Sequence, residues 1–112
     1  MRVLQILALS LLLSSWSSGA RAADLKAGEK VYLANCMACH GMQADGKGPA
    51  AAALQPPPAD FTNPTFWATR SNDQVKAVIK SGKPGTPMMP FAQLSATDVD
   101  NLVAYLRSKG GT

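Results

Sequence analysis

Three stretches of the chain place their apolar residues at the spacing of a helix. Between Leu25 and Asn35 the bulky positions are Leu25, Val31, Tyr32 and Leu33, and Asp24 stands where an N-cap oxygen is needed. From Ser95 to Lys109 the pattern is stronger. Val99, Leu102, Val103 and Leu106 fall at i, i+3, i+4 and i+7, Ser95 with Asp98 resembles a capping box, and Gly110 marks a stop. A middle helix is predicted by the Ser71 and Gln74 capping box, the stripe Val75, Val78 and Ile79, and Gly82 as its end. The rest of this region reads as loop. All eight prolines lie between Pro49 and Pro90, including the run Pro56 to Pro58, so the stretch is expected to run as extended chain and turns. No strand pattern and no internal repeat is visible.

The apolar run from Val3 to Leu13 is of another kind. It follows Arg2 and precedes Ala20-Arg21-Ala22, a small-x-small cleavage pattern, so residues 1–22 read as a cleaved secretory signal peptide and residues 23–112 as one domain. Its length falls well short of the roughly 20 residues that span a bilayer, and no cysteine precedes Cys36 for lipid attachment, so no stable membrane insertion is expected. The expected address is the periplasm.

Removal of the leader changes the charge as well. The formal +4 falls by two to +2 when Arg2 and Arg21 leave, which gives no reason to expect a nucleic-acid partner. The 90 residues that remain make a small domain with a limited core, and domains of that size usually carry a staple.

The candidate staple is Cys36-Met37-Ala38-Cys39-His40, which holds both cysteines and the single histidine of the chain. On one helical turn, positions i, i+3 and i+4 share a face, so two sulfurs can reach the two vinyl groups of a porphyrin while the imidazole comes up beneath its iron. This is the C-x-x-C-H pattern of covalent haem attachment. A redox dithiol expects a βαβ setting that the proline-rich chain lacks, and structural zinc needs four ligands where Cys and His together supply three.

The surroundings extend the motif. Gly28 with Tyr32, the Gly-Lys-Gly-Pro turn at Gly46 to Pro49, Pro58-Ala59-Asp60-Phe61, Gly85-Thr86-Pro87-Met88, Phe91 and Leu102 to Arg107 resemble the class I cytochrome c family, in its small bacterial monohaem members. The resemblance implies an all-α fold, with crossing N- and C-terminal helices and loops and a middle helix wrapped round one covalent haem c. It also implies a methionine as second axial ligand to the iron, opposite His40. The family pattern is Met-Pro-x-Phe; Met88 keeps the spacing to Phe91 and Met89 keeps the neighbouring Pro90, so Met88 is preferred with Met89 as the alternative. By the same resemblance the Pro49 carbonyl is expected to accept from the ring N–H of His40. Trp67 and Arg70 are candidates to hydrogen-bond a propionate, the alternatives being a core indole and a solvated guanidinium.

A soft sulfur opposite histidine raises the reduction potential and leaves no open coordination position, which favours electron transfer over catalysis. The function expected is therefore that of a soluble periplasmic one-electron carrier rather than an enzyme, exchanging with redox partner proteins such as a periplasmic dehydrogenase, oxidase or reductase. A fixed electron-relay subunit of a periplasmic dehydrogenase is the nearest rival, and a sensor with a displaceable methionine a more distant one. Lys26, Lys30, Lys47, Lys76, Lys80 and Lys83 are the candidates for steering an acidic partner.

Overall fold

The computed structural model describes residues 22–111, so the leader expected over residues 1–22 lies, apart from Ala22, outside the described residues. Five helices follow in order: α1 (Leu25–Asn35), α2 (Met37–His40), α3 (Pro64–Ala68), α4 (Asn72–Ser81) and α5 (Ala96–Arg107). A single 3₁₀ turn, Ala51–Ala53, lies in the loop after α2, and no strand occurs among the described residues. None of the described helices is long and apolar enough to cross a membrane.

Each predicted helix starts at the cap read from the sequence. The Asp24 carboxylate accepts the Ala27 N–H at 3.0 Å, and the capping boxes Ser71/Gln74 and Ser95/Asp98 are both closed in the two directions. Such caps satisfy backbone donors that a helix start leaves orphaned. The end of α5 differs from expectation. The helix stops at Arg107 with Ser108 as its cap, and Gly110 instead packs against the backbone of Phe61 and Thr62. The helix α3 falls in what the sequence pattern left as loop. Asn63 caps it by accepting from the Thr65 N–H at 3.0 Å, and Pro64 opens it, a position where a missing N–H costs nothing.

The helices α1 and α5 cross and pack, and α4 packs on α5. The crossing depends on Gly28, where a Cβ would sit 2.1 Å from the Asn101 carbonyl oxygen and 2.9 Å from the Tyr105 Cβ. Asn101 secures it by accepting the Asp24 N–H at 2.9 Å. Around it lie Tyr32, Val99, Leu102, Val103, Tyr105 and Leu106, all buried, while Leu25 and Leu33 stay exposed on the outer side of α1. Burial of Val75 and Ile79 joins α4 to this core, with Val78 half-buried beside them. Across the same seam Lys76 pairs with Asp100 at 2.8 Å, a partly exposed contact worth at most about 1 kcal/mol. That pairing removes Lys76 from the lysines free to steer a partner.

Candidate functional site

The end of α1 runs almost directly into α2. Cys36 closes α1 by donating its N–H to the Tyr32 carbonyl at 2.8 Å, and its own carbonyl accepts from His40 N–H at 2.9 Å and Cys39 N–H at 3.3 Å. One turn thus gathers Cys36, Cys39 and His40, as the spacing predicted. Both cysteines are free thiols and half-buried. Burial, and secondarily the neighbouring Cys39, pushes the Cys36 thiol up to about 11, so it stays protonated at neutral pH.

The turn is held from two sides. The Tyr32 hydroxyl, fully buried, donates to the carbonyl of Gly41 immediately after the motif. Burial, reinforced by Cys36, raises the Tyr32 phenol far above its ordinary range and keeps it a donor. On the other side, His40 Nδ1 lies 3.2 Å from the Ala59 carbonyl oxygen, and the Phe61 ring stacks on the imidazole with centroids 4.8 Å apart. A carbonyl can only accept, so the proton belongs on Nδ1 and the lone pair is left on Nε2. Burial lowers the basicity of His40, against a smaller opposing effect of the Ala59 hydrogen bond, and so favours the neutral ring.

The acceptor is therefore Ala59, not Pro49. Residues 48–50 lie along the backbone of α2 instead: Gly48 N–H donates to the Cys39 carbonyl at 3.1 Å and Ala50 N–H to the Ala38 carbonyl at 2.9 Å. Gly48 allows that approach, since a Cβ there would meet the Ala38 oxygen at 2.4 Å. Pro49 is exposed beyond this contact. The later segment is brought to His40 by Phe61, whose N–H donates to the Ala44 carbonyl at 2.8 Å.

Trp67 takes the second of its two readings, the core indole. It is buried, and its one N–H donates to the Phe61 carbonyl at 2.9 Å, which leaves no donor for a propionate. Arg70 remains exposed, its guanidinium 4.3 Å above the Phe66 ring and its Nη1 3.5 Å from the Phe66 carbonyl oxygen. Phe66 meets Phe61 edge-on at 5.2 Å, so Arg70, Phe66, Phe61 and His40 form one continuous run of ring contacts. The two methionines separate clearly. Met88 is half-buried with its N–H and carbonyl both hydrogen-bonded, whereas Met89 is 62% exposed.

This donor set fits a covalent porphyrin. It offers two unpaired thiols three residues apart, a neutral imidazole with its Nε2 lone pair available, and half-buried apolar flanks in Val31, Met37, Phe66, Phe91 and Leu94. Among the described residues no three His, Cys, Asp or Glu side chains cluster as a conventional metal cage would require.

The family model for cytochrome c matches residues 25–109. Cytochrome c-554(547) of Halothiobacillus neapolitanus is 39% identical over 92 residues, covering 76% of this chain and 96% of its own. The dihydro-heme d1 dehydrogenase of Pseudomonas aeruginosa is 37% identical over 102 residues, which is 89% of this chain but only 18% of that protein. Among solved structures, the KustC0563 c-type cytochrome superposes with a TM-score of 0.60 at 28% identity, over 74% of this chain and 96% of that one. With the helical fold and the Cys36 to His40 turn already in place, these matches show that the chain belongs to the cytochrome c family: it binds haem c with its iron and serves as a haem-based electron carrier.

Proposed function

We propose that the chain is a soluble periplasmic one-electron carrier in which Cys36 and Cys39 form the thioethers to haem c and His40 and Met88 are its axial ligands. The observation that carries this reading is the His40 environment, where the Ala59 carbonyl holds the proton on Nδ1 and leaves Nε2 with a lone pair on the turn that bears both thiols. Haem, when bound, supplies a one-electron iron couple. The chain's own residues would hold it: the Cys36 and Cys39 sulfurs would carry the two thioether links, while the Phe61 ring and the Ala59 carbonyl orient the imidazole and the core between α1 and α5 anchors the turn. A half-buried Met88 beside an exposed Met89 supports the choice of sulfur.

The near-complete coverage of cytochrome c-554(547) supports a free carrier. The match to a short part of a dihydro-heme d1 dehydrogenase favours a second reading, in which the same haem is a relay for a periplasmic dehydrogenase. Encounter kinetics separate the two. With Lys26, Lys30, Lys47, Lys80 and Lys83 exposed, reduction of an acidic acceptor by the free carrier will slow about tenfold or more as salt rises from about 0.01 to 0.15 M, because screening shortens from about 30 to 8 Å. Stopped-flow spectroscopy reads this directly. A rate independent of salt, or isolation only as a stoichiometric complex with a dehydrogenase, would oppose the free carrier.

A further inference from the structure

The loop that follows α4 is tied to that helix at both ends. Gly82 N–H donates to the Val78 carbonyl at 2.8 Å, and Phe91 N–H donates to the Ile79 carbonyl at 2.9 Å. Between these ties Pro84, Pro87 and Pro90 supply no N–H, so the backbone has few donors with which to define its own shape. A side chain fills that gap. The half-buried Thr86 hydroxyl donates to the Lys83 carbonyl at 2.7 Å and accepts the Met88 N–H at 3.2 Å. The Thr86 N–H also reaches the Lys83 carbonyl at 3.2 Å, and the Lys83 N–H closes the ring on the Met88 carbonyl at 3.2 Å. Both backbone groups of Met88 are thereby held, one of them by this hydroxyl.

We propose that Thr86 is the positioning residue for Met88, its hydroxyl locking the loop in the form that presents the thioether to the haem iron. The inference rests on Met88 as the axial ligand. A loop held in this way resists displacement of the sulfur, because swinging Met88 away breaks the bond from its N–H to Thr86 Oγ1 and the bond between the Met88 carbonyl and Lys83. Without the hydroxyl, Met88 N–H has to find water or stay unpaired, and the closed loop loses part of its advantage over open forms.

The test uses the ferric holoprotein and imidazole as a competing ligand, followed through the weak long-wavelength sulfur-to-iron absorption. Thr86→Val keeps the branched shape and removes the hydroxyl, and it is expected to bind imidazole roughly tenfold more tightly than the unmodified protein, the scale of a lost hydrogen bond. Thr86→Ser restores the hydroxyl without the methyl group and is expected to stay within about twofold of the parent. Thr86→Val with parental imidazole affinity, or Thr86→Ser binding imidazole as tightly as Thr86→Val, would overturn the proposal. Met88→Ala serves as the control for the reading beneath it: persistence of the band in that variant would refute the axial assignment and the positioning role together, whereas its loss beside a silent Thr86→Val would refute the positioning role alone.

Discussion

A Cys36→Ala, Cys39→Ala double variant will lose most of its helix along with its colour. The reason lies in the lengths of the helices: α1 has 11 residues, α4 has 10 and α5 has 12, and isolated helices below about 12–15 residues are marginal in water. They persist only by packing. The protein-only core is concentrated at the crossing of α1 and α5, with α4 contributing just Val75 and Ile79 as buried apolar residues. Val31, Met37, Ala59, Phe66, Phe91 and Leu94 remain half-buried, and they belong to segments that flank or follow the attachment turn. A small domain buries a smaller share of its surface than a large one, so a missing porphyrin removes a large share of its stability. Circular dichroism at 222 nm of the haem-free variant should fall below about half of the parental helix signal, since short helices without partners melt. A haem-free chain with native helix content and cooperative unfolding would contradict the dependence of fold on cofactor.

Replacing Met88 with alanine will remove the long-wavelength sulfur-to-iron band, while Met89→Ala will leave it in place. The two sulfurs are neighbours in sequence but not in environment. Met88 is half-buried and its backbone is fixed by Thr86 and Lys83, whereas the Met89 side chain projects into solvent with 62% of its surface exposed. Loss of the sulfur opposite histidine lowers the reduction potential, and the fall should be on the order of 0.1 V within the roughly 0.8 V that axial ligands span. The Met88→Ala protein should also bind carbon monoxide rapidly once reduced, because one axial position is then open. Absorption spectra and redox titration of the two variants read these effects, and the reverse pattern would assign the ligand to Met89.

Much of this architecture was legible because local chemistry and global packing agree. Asp24, Ser71 and Ser95 each announce a helix start with a side chain that accepts a backbone proton; the stripes behind Ser71 and Ser95 bury Val75 and Ile79, and Val99, Leu102, Val103 and Leu106, whereas of the bulky α1 positions only Tyr32 is buried. Gly28 opposite Asn101 and Tyr105 shows the same agreement at the helix crossing. Five residues sufficed to indicate that Cys36, Cys39 and His40 share one turn, since they lie within one helical period.

What escaped the sequence is carried by backbone groups or by very short elements. The acceptor for His40 is the carbonyl of Ala59, an atom every residue possesses, so no side-chain pattern distinguishes Ala59 from Pro49; only the course of the loop does. The helix α3 spans five residues, too few to show a period of 3.6, and Asn63-Pro64 was its one available sign. Trp67 and Lys76 illustrate a different limit. Each is competent for a role its side-chain chemistry allows, and each is committed to a neighbour instead, Trp67 to the Phe61 carbonyl in a turn not foreseen and Lys76 to the Asp100 carboxylate distant in sequence.

Covalent attachment of haem through Cys36 and Cys39 is tested on the chain matured in a host with a haem-attachment system. Denaturing electrophoresis with haem staining, paired with acid extraction of the pigment, decides it. A stained band at the position of the polypeptide is expected, with pigment that stays with the protein in acid. An unstained band, or haem released into the acid phase, would contradict covalent attachment.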